Sequence, residues 1–170
     1  MIREYKGALP RIHADAVILD QVVITGDVEI GADSSVWFGA VIRGDVGAVR
    51  IGRRTNIQDL CVLHETLSRT SCIIGDEVTV GHRAVIHGAV LKNRCLVGMG
   101  AIVMDEAIVG ENCIVGAASL VPEGMVIPDG HLALGVPARV IRPLSDVEIE
   151  SLAISAEHYV QYAKEYSTGS

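Results

Sequence analysis

Aromatic side chains are scarce: one Trp, one Phe and four Tyr, 4% of 170 residues. An aromatic-rich globular core is therefore excluded. Hydrophobic residues still reach 49%, so the apolar content rests on small and β-branched aliphatics, which favour strands. Positive charge is also short. Fourteen Lys and Arg stand against 21 Asp and Glu, a formal charge of −7. That balance argues against a nucleic-acid or anionic-membrane surface, because phosphate binding needs a concentrated basic face. No apolar run approaches the roughly 18–20 residues of a membrane span. The opening MIREYKGALP has mixed charge and lacks the apolar stretch of a secretory signal. Cys61, Cys72, Cys95 and Cys113 form no C-x-x-C pair, so a reduced, cytoplasmic protein is expected.

What is present is a repeat. Every sixth residue from Ile12 is aliphatic: Ile12, Ile18, Ile24, Ile30, Val36 and Ile42. The register resumes at Ile51, Ile57 and Leu63, and, after an excursion through residues 64–73, at Ile74, Val80 and Ile86. It continues through Leu91, Val97, Val103, Val109, Val115, Val121 and Ile127. The residue four places on is usually small, as at Ala40, Thr55, Ala84 and Ala107, and Gly often follows the aliphatic directly. An inward aliphatic, a small corner residue and a glycine to relieve the turn describe short strands wound into a solenoid. The expected fold is an all-β solenoid, a parallel β-helix of hexapeptide repeats with three faces and about 18 residues per coil. Each cysteine lies two residues before an inward aliphatic, the small inward slot, where a free thiol is core packing.

The repeat occupies about residues 12–135 of a chain read as one domain over 1–170. It ends near Gly135-Val-Pro-Ala-Arg, where Pro137 and Pro143 break regular structure. Ser145-Asp-Val-Glu148 reads as a capping box opening a helix over about 145–166. Leu152, Ala156, Tyr159, Ala163 and Tyr166 draw one apolar stripe along it, and residues 167–170 are expected to fray.

Three histidines acquire meaning in this frame. With three inward positions per coil, Leu63 and Ile86 stack, so His64 and His87 occupy equivalent corners of adjacent coils, about 4.8 Å apart along the backbone. Two imidazoles so placed can share a metal at about 2.0–2.1 Å. His82 cannot stack with them: it is expected mid-strand, where it would complete a site only across a contact with another subunit. Asp59 lies one coil below His82, next to Gln58, and Arg43 lies one coil below His64. His13, His131 and His158 show no such register.

Arg43-Gly-Asp45, then Asn56-Ile-Gln58-Asp59, His64, and Gly81-His82 through His87-Gly88 resemble the γ-class carbonic anhydrase family. The histidine spacing H-x17-H-x4-H within a hexapeptide frame is the specific part, and the resemblance covers almost the whole chain. It implies a left-handed coil, which strand crossover preference alone would not have given. It also implies a homotrimer with Zn2+ at each subunit interface, held by His64 and His87 of one subunit and His82 of its neighbour; Fe2+ or Co2+ also suits such ligands. The implied reaction is reversible hydration of CO2 to bicarbonate by a metal-bound hydroxide. Gln58 would orient the hydroxide or substrate and Asn56 would shape the pocket. Arg43 would pair with Asp59 across the interface, Asp45 would support that network, and Tyr159 would cap the pocket from the helix.

Two departures from the family pattern stand out. Val46 follows Asp45 where the best-known members carry a glutamate, and the short excursion 64–73 holds one acid, Glu65. A missing proton shuttle predicts weak or buffer-dependent activity. The same scaffold also serves hexapeptide acyltransferases and would serve a metal-dependent hydrolase of coenzyme A thioesters or a non-catalytic metal-binding assembly, so fold alone leaves these open.

Overall fold

The computed structural model describes residues 1–168. It is a left-handed parallel β-helix of about seven coils followed by one helix. The hexapeptide register is the register of the strands. Ile12, Ile30, Ile51, Ile74, Leu91, Val109 and Ile127 pair rung on rung along one face. Ile18, Val36, Ile57, Val80, Val97, Val115 and Ala133 pair along the second. Ile24, Ile42, Leu63, Ile86, Val103 and Val121 pair along the third. All of these rungs are parallel, and from Ile24 onward every one of the aliphatics is buried inside the coil.

The glycine after each aliphatic serves a different purpose from the one expected. A Cβ at Gly52 would lie 2.6 Å from the carbonyl oxygen of Gly75, one coil up. These positions are bare because successive coils touch there. The left-handed corners fall on other residues, among them Asp33, Arg54, Glu77, Arg94 and Asn112, whose φ values run from 52° to 57°. Regular coil stacking imposes that conformation on side chains that seldom adopt it.

The long strand Val41–Ile51 turns one corner of the prism. Its first part pairs with Val62–His64 and its last part with Cys72–Ile74. Its extra residues and the excursion 64–73 therefore bulge from the same corner, on successive coils. That irregularity builds the candidate site.

The ends differ from the sequence expectation. Ile2–Arg3 adds a strand beside Ile24 and Thr25, before the repeat is legible. Gly135-Val-Pro-Ala-Arg is not a break in regular structure but the turn of an antiparallel hairpin, His131–Gly135 with Ala138–Pro143. Proline is tolerated there because it occupies the turn and the end of an outermost strand, where a missing N–H breaks no rung.

Helix α1 (Asp146–Thr168) opens with the expected capping box. Glu148 N–H donates to Ser145 Oγ at 3.4 Å, and Ser145 N–H donates to Glu148 Oε2 at 2.8 Å. The buried stripe is Leu152, Ala156, Val160 and Ala163, laid on strands Val17–Ile18, Ser35–Val36, Asn56–Ile57 and Thr79–Val80. Tyr159 is half-buried and Tyr166 exposed, which corrects the expected stripe. The close approach of the helix favours small or branched residues on its axis and leaves the tyrosines on its flank. Of the tail expected to fray, residues 167 and 168 are helical; residues 169–170 lie outside the described residues.

Candidate functional site

The bulged corner gathers a charged cluster. His64 and His87 sit on paired strand positions, as the repeat predicts, with ring centroids 5.3 Å apart. His64 Nε2 lies 2.9 Å from Asp45 Oδ1, and His87 Nδ1 lies 3.1 Å from Asp105 Oδ1. A carboxylate only accepts, so these ring nitrogens carry protons, and in the neutral form of each imidazole the other nitrogen keeps its lone pair. Those remaining atoms, His64 Nδ1 and His87 Nε2, face each other at 3.3 Å. Two lone pairs at that distance repel unless a proton or a metal cation lies between them.

The spacing suits a metal. A tetrahedral ion with metal–nitrogen bonds of about 2.0–2.1 Å sets its ligand nitrogens about 3.3–3.4 Å apart. Carboxylates bonded to the outer nitrogens are the usual support for metal-binding imidazoles. The donor set therefore fits a divalent cation with a preference for nitrogen.

Both supporting carboxylates are held ionised. Burial pushes Asp45 up, but the hydrogen bond from His64 and the charge of Arg43, which is bonded to it in the same chain, bring it below the usual range. Burial likewise opposes Asp105, and the Thr70 hydroxyl, His87 and Thr66 outweigh it. Thr66 and Thr70 donate to Asp105 at 3.1 and 3.0 Å. Gly88 is bare for this reason: with φ at +57°, a Cβ there would lie 2.0 Å from Asp105 Oδ1 and 2.3 Å from Thr70 Oγ1.

Glu65 is 1% exposed. Its Oε1 accepts the Gly47 N–H at 2.8 Å, tying the excursion to the bulge that carries Asp45. Among the described residues its Oε2 has no partner, and burial pushes its pKa up against the pull of His64. Ligand atoms of Asp45, His64 and Glu65 fall within 4.8 Å of one another.

A second cluster occupies the next corner of the same face. His82 lies in a turn rather than mid-strand, because Arg83 takes a left-handed corner with φ at 61°. His82 Nδ1 lies 2.7 Å from Asp59 Oδ2, and its backbone N–H donates to Gln58 Oε1 at 3.1 Å. Gln58 Nε2 donates to Asn56 Oδ1 at 3.0 Å, and Asn56 Nδ2 to Thr79 Oγ1 at 3.0 Å. Thr79 Oγ1 reaches Ser155 Oγ of α1 at 3.3 Å. A cleft of about 410 Å³ opens beside these groups, lined by Gln58, His82, Tyr159 and the apolar Leu96, Met99 and Ile114.

The structure thus brings Arg43, Asp45, His64 and His87 together at one corner, and Asn56, Gln58, Asp59, His82 and Tyr159 at another. Within the chain Arg43 pairs with Asp45. Sequence reasoning missed Asp105, Thr66, Thr70 and Thr79. For Asp105 a signal existed: it stands two residues after Val103, at the corner of the coil above His87.

Sequence and structure comparisons agree on the hexapeptide-repeat scaffold. Residues 10–44 match the family described as bacterial transferase hexapeptide (six repeats), and residues 72–104 and 106–130 match the hexapeptide repeat of succinyl-transferase. A carbonic anhydrase of Geobacillus kaustophilus is 47% identical over 98% of this chain and 91% of its own length. Gamma carbonic anhydrase 1, mitochondrial, of Arabidopsis thaliana is 39% identical over 93% of this chain and 59% of its own. The chain belongs to the γ-class carbonic anhydrase family. A Bacillus cereus crystal structure, labelled provisionally as an acetyltransferase, is 43% identical and superposes with a TM-score of 0.97 over 99% of this chain and 98% of that one. Proteins this similar to the chain thus carry both anhydrase and transferase labels.

Proposed function

We propose that the chain is a metal-dependent carbonic anhydrase that interconverts CO2 and bicarbonate at sites shared between the subunits of a cytoplasmic homotrimer. The 3.3 Å approach of His64 Nδ1 to His87 Nε2, each ring already committed to a carboxylate on its other side, carries this reading. These two nitrogens, with Nε2 of His82 from a neighbouring subunit, would hold the metal, Zn2+ or alternatively Fe2+ or Co2+. A bound divalent metal supplies a Lewis acid that makes coordinated water acidic near neutral pH.

The chain's own groups then have assigned work. Asp45, Asp59 and Asp105 fix the orientation and tautomer of His64, His82 and His87. Gln58 keeps one amide N–H after its bond to Asn56 and positions the substrate; Asn56 fixes that amide. Tyr159 closes the cleft. Arg43 fixes Asp45 and, across the interface, meets Asp59 of the neighbour. Glu65 is too enclosed to exchange protons with bulk water, so proton exit depends on buffer and turnover is modest.

The apolar lining of the cleft beside His82 favours one second reading, hydrolysis of a coenzyme A thioester at the same centre. Stopped-flow CO2 hydration on anaerobically purified, metal-quantified protein separates the two. Metal-dependent hydration that rises with buffer concentration is expected, lost in His82→Ala while the circular dichroism spectrum stays unchanged. Hydration surviving in that variant overturns the assignment; one metal per subunit without hydration moves the assignment to the thioester reading.

A further inference from the structure

Leu67 is 66% exposed, although it stands three residues from His64. A lone exposed leucine is ordinary on a protein surface, but this one is held out by a tied loop. Thr66 and Thr70 are bonded to Asp105, and the Thr66 N–H donates to Thr70 Oγ1 at 3.0 Å. Arg69 Nε donates to Glu106 at 2.9 Å, and another arm of the same guanidinium is bonded to Glu123. Glu65 ties the near end of the loop to Gly47. The turn 66–70 therefore leans along the solenoid, onto the two coils that follow the coil of His87.

The other half-site carries a matching hollow. Met99, 59% exposed, takes on the next coil the place that His82 takes on its own. With Leu96 and Ile114 it lines the cleft of about 410 Å³ beside His82, on the two coils that follow the coil of His82. His82 and His87 belong to one coil, so a metal held by His87 of one subunit and His82 of the next sets the two subunits at equal height. Loop and cleft span the same two coils. Closure of the ring then brings the loop of one subunit opposite the cleft of its neighbour.

We infer that Leu67 of each subunit fills the apolar cleft beside His82 of the next and so limits the shared centre to substrates as small as CO2. The inference rests on the trimer proposed above and names what sets its substrate size. Leucine against Leu96, Met99 and Ile114 is an apolar match, and a loop already tied down loses little freedom on docking. With the cleft occupied, an acyl chain has no place in it. A pocket emptied to alanine discriminates poorly by size.

Leu67→Cys combined with Met99→Cys tests the placement. The native thiols are buried, so bismaleimidoethane added to the metal-loaded full-length protein at neutral pH reaches the introduced pair. The double variant is expected to run as covalent trimers on a denaturing gel, and each single variant as monomers. Leu67→Ala tests the size limit. With native mass and metal content retained, its hydrolysis of 4-nitrophenyl acetate, taken as a ratio to CO2 hydration, is expected to exceed that of wild type at least about tenfold. A native trimer that yields no cross-link overturns the placement, and an unchanged ratio overturns the size limit. A monomeric native mass overturns the inference together with the trimer reading, and a wild type without hydration overturns the limit to CO2 together with the anhydrase reading.

Discussion

At the scale of single residues, burial decides which reactive groups are chemistry and which are packing. All four thiols are buried and free. Burial pushes Cys61 and Cys95 up to about 12 and raises Cys72 and Cys113 as well, so the nucleophilic thiolate is essentially absent at neutral pH. Iodoacetamide at pH 8 is therefore expected to label none of them in the native protein and all four in denaturant, counted by intact mass; rapid native labelling of even one contradicts the packing role. The histidines show the opposite outcome. His64 and His87 are only part-buried, and their outer nitrogens are spoken for by Asp45 and Asp105. The spacing of the two histidines was legible in the sequence because both follow repeat aliphatics. Their carboxylate support was only partly legible. Asp45 belongs to the family motif, whereas Asp105 lies outside it and was open only to the repeat frame, two residues after Val103 on the coil stacked above His87.

At the scale of elements, the repeat is legible because each inward aliphatic answers to one rung, and a missed register would turn every inward side chain out. The hairpin at 131–143 was not legible, because an antiparallel return needs no six-residue period and its prolines read as breaks. The helix was legible from its capping box, and that box sets an acid limit. Arg142 and the Ser145 N–H and hydroxyl hold Glu148 at about 2, against an ordinary value of 4.5. A depressed carboxyl contributes its stability above its unfolded pKa and loses it as pH falls through the folded one. The contribution is thus complete above pH 4.5 and fades toward pH 2. Helical circular dichroism of the wild type is expected to become more heat-sensitive across that window, whereas Glu148→Gln starts less stable at neutral pH and shows a flatter dependence. Parallel pH profiles for the two proteins would show that the box does not anchor the helix start.

At the scale of the whole molecule, the two clusters cannot serve one ion within one chain. They occupy successive corners of one face, and the strand Val85–His87 between them, at about 3.3 Å per residue, keeps them about 10 Å apart. Outward on that face stand Val41, Val62, Val85, Ile102 and Leu120, an apolar column with Ile102 37% exposed. An apolar strip flanked by two half-sites suits a heterologous contact, in which one corner of a subunit meets the other corner of the next, and three such contacts close a ring. Complementation tests this closure. His82→Ala and His87→Ala each remove one half-site and are each expected to lose the metal while staying folded. Unfolded together and refolded at equal amounts, they are expected to mix within the proposed trimer. A site is then whole only where a His82→Ala subunit offers its His64–His87 corner to a His87→Ala neighbour, which random assembly grants to about a quarter of the sites. Metal content near a quarter of wild type, with hydration in proportion, is the expected result. If both histidines served an ion within one chain, no mixture would recover any metal, because every chain would still carry a broken site.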